Sequence, residues 1–379
     1  MRAGTDYYVN LAKFREIDKL AKQVYGIVFG QILDINTQSA DVPRAGQPYS
    51  SEAFKMVNDM VNMFNGVTPA MWQEPKKSSK KKVQVALLHD DVDGSETIRY
   101  LKKVKDAGTL VSDNGQHNSG SLGLDQAVYS YGATGKFHPG AFLASLTLAQ
   151  ELAAQEKLKQ FTKVRNDFEG FLVRHKVFIN QIGHSKGSRT RPVEAMLQMH
   201  RIILASLQSG VRDDKEIISK LKRDRALEGL KDVTNIPKDD TKRKKFSKSV
   251  QDAAVLRSVL DNRERCKICT ARLPPSCRSK DHKKRKVDEG TGTLDNLQFT
   301  HPYCNTGYKE SAATQARSPS DVLAEELRTQ TVEWPTAGWP ISRVLCEKWV
   351  SRSHHKSSTL NPVCFAIRAS IFGPISTRS

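Results

Sequence analysis

The residues best suited to chemistry crowd into one stretch, Cys266 to Glu310, which reads CKICTARLPPSCRSKDHKKRKVDEGTGTLDNLQFTHPYCNTGYKE. Cys266 and Cys269 form a C-x2-C pair, a spacing that lets two thiolates reach one ion from a tight knuckle. His301 and Cys304 repeat the spacing with one imidazole. Together they make a Cys3His set, which a tetrahedral structural zinc accepts. Four closed ligands leave no position for water, and thiolates suit zinc better than magnesium. The bland alternative is a pair of loop cysteines beside an unrelated His-Cys. Both spacings recurring in one short segment speak against it. Cys277 is a further thiol that could replace His301 as a ligand.

Inside this clip stand Asp281 and His282, then a Gly/Thr loop closed by Asn296, then Asn305 directly after Cys304. SKDHKKRK is expected to be a strand ending in a basic turn, NLQFTHP a second strand, and CNTGYKE the opening of a helix or turn. A strand–loop–strand–helix pinned by zinc brings Asp281, His282 and Asn305 together. This arrangement resembles the HNH, or ββα-metal, endonuclease family. The family pattern is an Asp-His on the first strand, an Asn closing the loop, and a His or Asn just after the final Cys. Two departures stand out. Lys283, Lys284 and Arg285 follow the Asp-His where the family often has a Pro, and the second zinc pair is H-x2-C rather than C-x2-C.

The resemblance implies metal-dependent hydrolysis of DNA phosphodiester bonds. His282, whose ordinary pKa is near neutrality, would take the proton from water. Asp281 and Asn305 would hold a hard divalent ion, Mg²⁺ or a similar ion, through oxygens. That ion would bridge the scissile phosphate and the leaving 3′ oxygen. Asn296 would hydrogen-bond the loop and orient His282. Lys283, Lys284, Arg285 and Lys286 are expected to grip the nucleic-acid backbone beside the cut. The rival reading is a non-enzymatic, zinc-stabilised DNA-binding module, or a decayed relative. It explains zinc and charge but gives no reason for Asp-His and Asn at these spacings.

The whole chain is consistent with a nucleic-acid partner. Its 379 residues carry a formal net charge of +19, which attracts polyanions. Solvated lysines alone would account for the charge equally well, so charge gives binding without chemistry. Four of the six cysteines lie in the one segment, a pattern that points to metal in a reducing compartment. No run of eighteen apolar residues occurs and the first twenty residues lack an apolar core, so neither a membrane span nor a signal peptide is expected. A cytoplasmic protein is the expectation.

The elements that must position the site fall into an α+β arrangement: a mostly helical upstream region, then a small zinc-stabilised ββα-metal unit. Residues 1–75 are expected to be mixed and mainly helical, 76–240 a mainly helical domain, and 241–310 a basic linker plus the HNH unit; 311–379 shows no convincing periodicity. VQVALL is expected to be a short strand. HDDVDGSE fails as a calcium loop, since the twelfth position from His89 is Tyr100 rather than Glu, and is expected to be a polar turn. Residues 107–140 are expected to run in loops, followed by a long helical stretch from Ala141 to about Ile182. Pro192 is expected to open another helix that Gly210 ends. PKKSSKKK and KDDTKRKKFSKS read as basic linkers. Gly120–Ala144 and Val164–Asn180 are similar to the middle of large HNH proteins with a ParB-like N-terminal domain, related in architecture to GmrSD-type restriction enzymes. That resemblance implies a setting in DNA defence. The Asp-Gly-Gln-Arg nucleotide motif of that domain is not found, and SDNGQHN is a distant echo of it. The alternative for Gly120–Ala144 is a loop docking onto a helical core.

Overall fold

The computed structural model describes residues 11–29, 51–67, 88, 91, 93–112, 118–187, 189–231 and 245–309. All of them belong to one unit, Met1–Ala316. The VQVALL strand (Leu88 apart), the linker 75–82, most of the linker 238–249 and the stretch 311–379 lie outside the described residues.

Helices form where apolar residues recur at three- and four-residue intervals. α1 (Leu11–Phe29) buries Ile17, Leu20, Val24 and Ile27 along one stripe and packs on α3 (Ser95–Val111). α2 (Ser51–Phe64) lies against the same helix. The acidic turn before α3 is a capping device. Asp91 accepts from the backbone N–H groups of Gly94 and Thr97, each at 2.8 Å, and Asp93 from that of Ser95 at 3.0 Å.

α3 runs on to Val111, further than the loop expected from residue 107. The chain from 118 to 138 is an ordered loop that holds the short helix α4 (Gln126–Tyr129). The long helical stretch resolves into α5 (Pro139–Ala154), α6 (Leu158–Arg174) and α7 (Val177–Lys186). One helix over those residues would be about 60 Å long, and its two apolar segments could not reach one core. A turn around Glu156, at φ 55°, folds them back instead. α5 is buried on nearly all sides, as a helix apolar all round must be, and touches α3, α4, α6 and α8 (Val193–Gln208). Pro192 stands at the start of α8 and Gly210, at φ 90°, follows its end. α9 (Asp214–Arg223) and α10 (Lys248–Asp261) are capped by Asp213 and Ser247. One apolar cluster extends from Ile17 to Leu260.

After α10 the chain changes character. β1 (Ser279–His282) pairs antiparallel with β2 (Leu297–Thr300), Asp281 opposite Gln298 and His282 opposite Leu297. A single π-helical turn, Cys304–Tyr308, follows. The described fold is therefore mostly helical with one small two-stranded sheet. Among the described residues no helix is long and apolar enough to cross a membrane.

Candidate metal centre and active site

The clip closes as its spacing requires. The Sγ atoms of Cys266, Cys269 and Cys304 and one ring nitrogen of His301 all lie within 4.8 Å of one another. A tetrahedral zinc with thiolates at 2.3 Å sets ligand atoms about 3.8 Å apart. Cys269 Sγ and Cys304 Sγ stand 3.3 and 3.7 Å from His301 Nδ1. The geometry and the donor types fit a structural zinc. The other ring nitrogen, Nε2, donates to the Arg272 carbonyl at 2.9 Å, which turns Nδ1 toward the thiols. Three crowded thiols titrate together. Hydrogen bonds from Cys269 and Cys304 hold Cys266 well below the ordinary thiol range. The same contacts with Cys266 push Cys269 up to about 12 and raise Cys304 as well. A bound cation would take the place of those shared protons. Cys277 is buried outside this group, beside Ser276, so His301 and not Cys277 completes the quartet.

The hairpin inside the clip carries the other residues. Successive strand side chains leave opposite faces. Asp281 is turned inward and 4% exposed, while His282 is half-buried at the strand end. Asn296 stitches the intervening loop: its Oδ1 accepts from Lys284 N–H at 2.7 Å, and its Nδ2 donates to the Lys284 and Thr291 carbonyls at 3.1 and 2.7 Å. The Asn296 carbonyl accepts from Lys283 N–H at 2.8 Å, which ties the loop to the residue after His282. Gly290 permits this closure, since a Cβ there would stand 1.9 Å from the Lys284 carbonyl oxygen. Asn305 reaches back from the π turn to β1, donating to Ser279 Oγ at 2.9 Å and the Lys280 carbonyl at 3.2 Å. Asp281, His282 and Asn305 are thus gathered on one strand and the turn that packs on it. Of the four basic residues, Lys283 donates to the Asp295 carbonyl and Arg285 pairs with Asp288, while Lys284 and Lys286 are exposed.

The helical region grips the clip from the other side. Ser121 accepts through its carbonyl from Tyr303 N–H at 2.9 Å, and Ser119 from Thr306 Oγ1 at 2.8 Å. Gly123, at φ 56°, lies so close that a Cβ would stand 2.9 Å from Cys277 Cβ and 3.2 Å from His301 Cδ2. Arg165 of α6 is buried and donates to the carbonyls of Leu122 and Gly123 and to Glu169. Glu169 in turn accepts from Arg272 N–H at 2.9 Å, in the segment that also binds His301. Arg263 and Asp125 form a second buried ion pair across the same junction, at 2.7 Å. The loop from Gly120 therefore docks on the clip as well as on the helices.

Three participants at the site were not expected from sequence: Gln298, Lys309 and the Arg165–Glu169 pair. Gln298 Nε2 donates to Asp281 Oδ2 at 2.6 Å, and Lys309 Nζ to Asp281 Oδ1 at 2.8 Å. Lys309 lies four residues past Asn305 on one helical turn, and that interval was the available signal.

Residues 266–311 match the family model described as HNH endonuclease, and the match opens on the first cysteine of the clip. It does not extend to Gly120–Ala144 or Val164–Asn180. No curated protein and no solved structure matches the chain.

Proposed function

We propose that the protein is a metal-dependent endonuclease that hydrolyses DNA phosphodiester bonds with Asp281, His282, Asn296 and Asn305. The observation that carries this reading is the hairpin: a histidine at the end of β1, beside an inward carboxylate and against a turn bearing Asn305, all within an HNH family match. His282 is the general base. Its ring makes no hydrogen bond among the described residues, so a water can approach it. Asn296 holds the loop that follows His282 and so fixes the base's position. Asp281 and Asn305 offer the hard oxygens a divalent ion takes, and such an ion, when bound, supplies Lewis acidity at the phosphate. Lys284 and Lys286 contact the strand backbone electrostatically. The zinc clip is structural, because its four ligands close the coordination sphere. A setting in restriction or defence is what the upstream resemblance implies.

The test is plasmid relaxation by the zinc-loaded chain with Mg²⁺ or Mn²⁺, against EDTA used briefly enough to leave the clip loaded. Nicking that requires the added ion supports the enzyme. Retention of DNA without any nicking, whichever ion is added, would instead establish the non-enzymatic binding module.

A further inference from the structure

Lys309 has no role in the proposed chemistry, yet it occupies the middle of the site. Its ammonium lies 2.8 Å from Asp281 Oδ1 and donates also to the His282 carbonyl. Gln298 covers Oδ2 from the opposing strand at 2.6 Å. Both oxygens of the carboxylate are therefore engaged, one of them by a full positive charge. The pair is shielded from water, with side-chain exposures of 18% for Lys309 and 5% for Asp281, so it is screened less than a surface ion pair. Lys309 follows directly on the turn Cys304–Tyr308, which also presents Asn305. The ammonium and the second proposed metal ligand thus reach β1 from one element. Two cations cannot share one carboxylate oxygen in a shielded site without strong repulsion.

Resting on the reading of Asp281 as a ligand of the divalent ion, we propose that Lys309 is an internal counter-cation of the nuclease site. It holds Asp281 and the carbonyl of His282 in place when no divalent ion is bound. The ion reaches Asp281 only by displacing the ammonium. Metal binding and the intact Lys309–Asp281 pair are then linked, and each opposes the other to the same degree. The displaced ammonium becomes available to an anionic phosphate, so binding of a DNA strand favours entry of the ion. Lys309 is a positioning residue that sets how much metal the site needs.

Mn²⁺ is the probe, titrated into the zinc-loaded full chain and followed by the spin-resonance signal of the free ion. Lys309→Met is expected to bind Mn²⁺ roughly tenfold more tightly than the unaltered chain, within the usual range for coupled sites. Lys309→Arg, which keeps the charge, is expected to stay near the unaltered value. Zinc content and circular dichroism report whether each variant is folded. A second readout needs no substitution: Mg²⁺ is expected to move the ¹⁵N resonance of the Lys309 ammonium toward that of a free lysine. Equal Mn²⁺ affinity with Met at 309, with Asp281→Asn weakening binding in both backgrounds, would overturn the displacement while leaving the metal site intact. An unmoved ammonium resonance at saturating Mg²⁺ would overturn it too. If Asp281→Asn left Mn²⁺ binding unchanged, the ligand role of Asp281 would fall and the inference with it.

Discussion

Two histidines illustrate how placement decides what one side chain does. His282 ends a strand, half-exposed, where water can reach it. His200 is fully buried on α8, edge-on to Tyr129 and Phe168, with a hydrogen-bond partner for neither nitrogen. Burial lowers its pKa to about 4. In the unfolded chain the same group titrates near 6.5. The unfolded state therefore binds more protons between those values. The stability that His200 contributes is complete above about pH 6.5 and is lost as pH falls through about 4. The loss amounts to about 3 kcal/mol. His138, half-buried beside α5, is lowered by burial to about 4 and adds to the same acid window. Replacing His200 with Phe is expected to flatten the pH dependence of unfolding between about 6.5 and 4. Chemical denaturation at both ends of the window measures it, and an unchanged slope would contradict the assignment.

At the level of elements, the clip depends on the loop that docks against it. Gly123 combines a left-handed backbone with a close approach to Cys277 and His301. Gly123→Ala is expected to cost about 2–4 kcal/mol, from backbone strain and overpacking together. It is also expected to hasten zinc loss to a chelator, which a colorimetric release assay follows. The Cys3His cluster was legible in sequence because coordination chemistry fixes both residue type and spacing. The hairpin was legible because the Asp-His and Asn positions sit at fixed offsets from those ligands. Arg165 and Glu169 were not, because a charged pair four apart on a helix reads as a solvated surface pair, whereas here it is buried against loop carbonyls. Lys309 was equally hidden, since its contact with Asp281 depends on how the turn packs on β1. The helix from Ala141 divided because local periodicity does not register that two apolar segments must meet in one core.

For the molecule as a whole, one apolar cluster, two buried ion pairs and a Cys3His clip hold a small two-stranded hairpin against a helical body. The formal net charge of +19 gives that body a general attraction to polyanions. Affinity for duplex DNA is expected to fall at least tenfold, roughly, between about 50 and 200 mM salt. Fluorescence anisotropy across that range checks it, and a flat response would count against phosphate contacts. The central claim, that β1 and the π turn form a hydrolytic centre, is tested most directly by comparing His282→Ala with the unaltered chain. Both would carry equal zinc and act on supercoiled plasmid with Mg²⁺. Loss of nicking, with DNA binding retained, is the outcome expected of a general base. Equal nicking by the two proteins would contradict the assignment of His282.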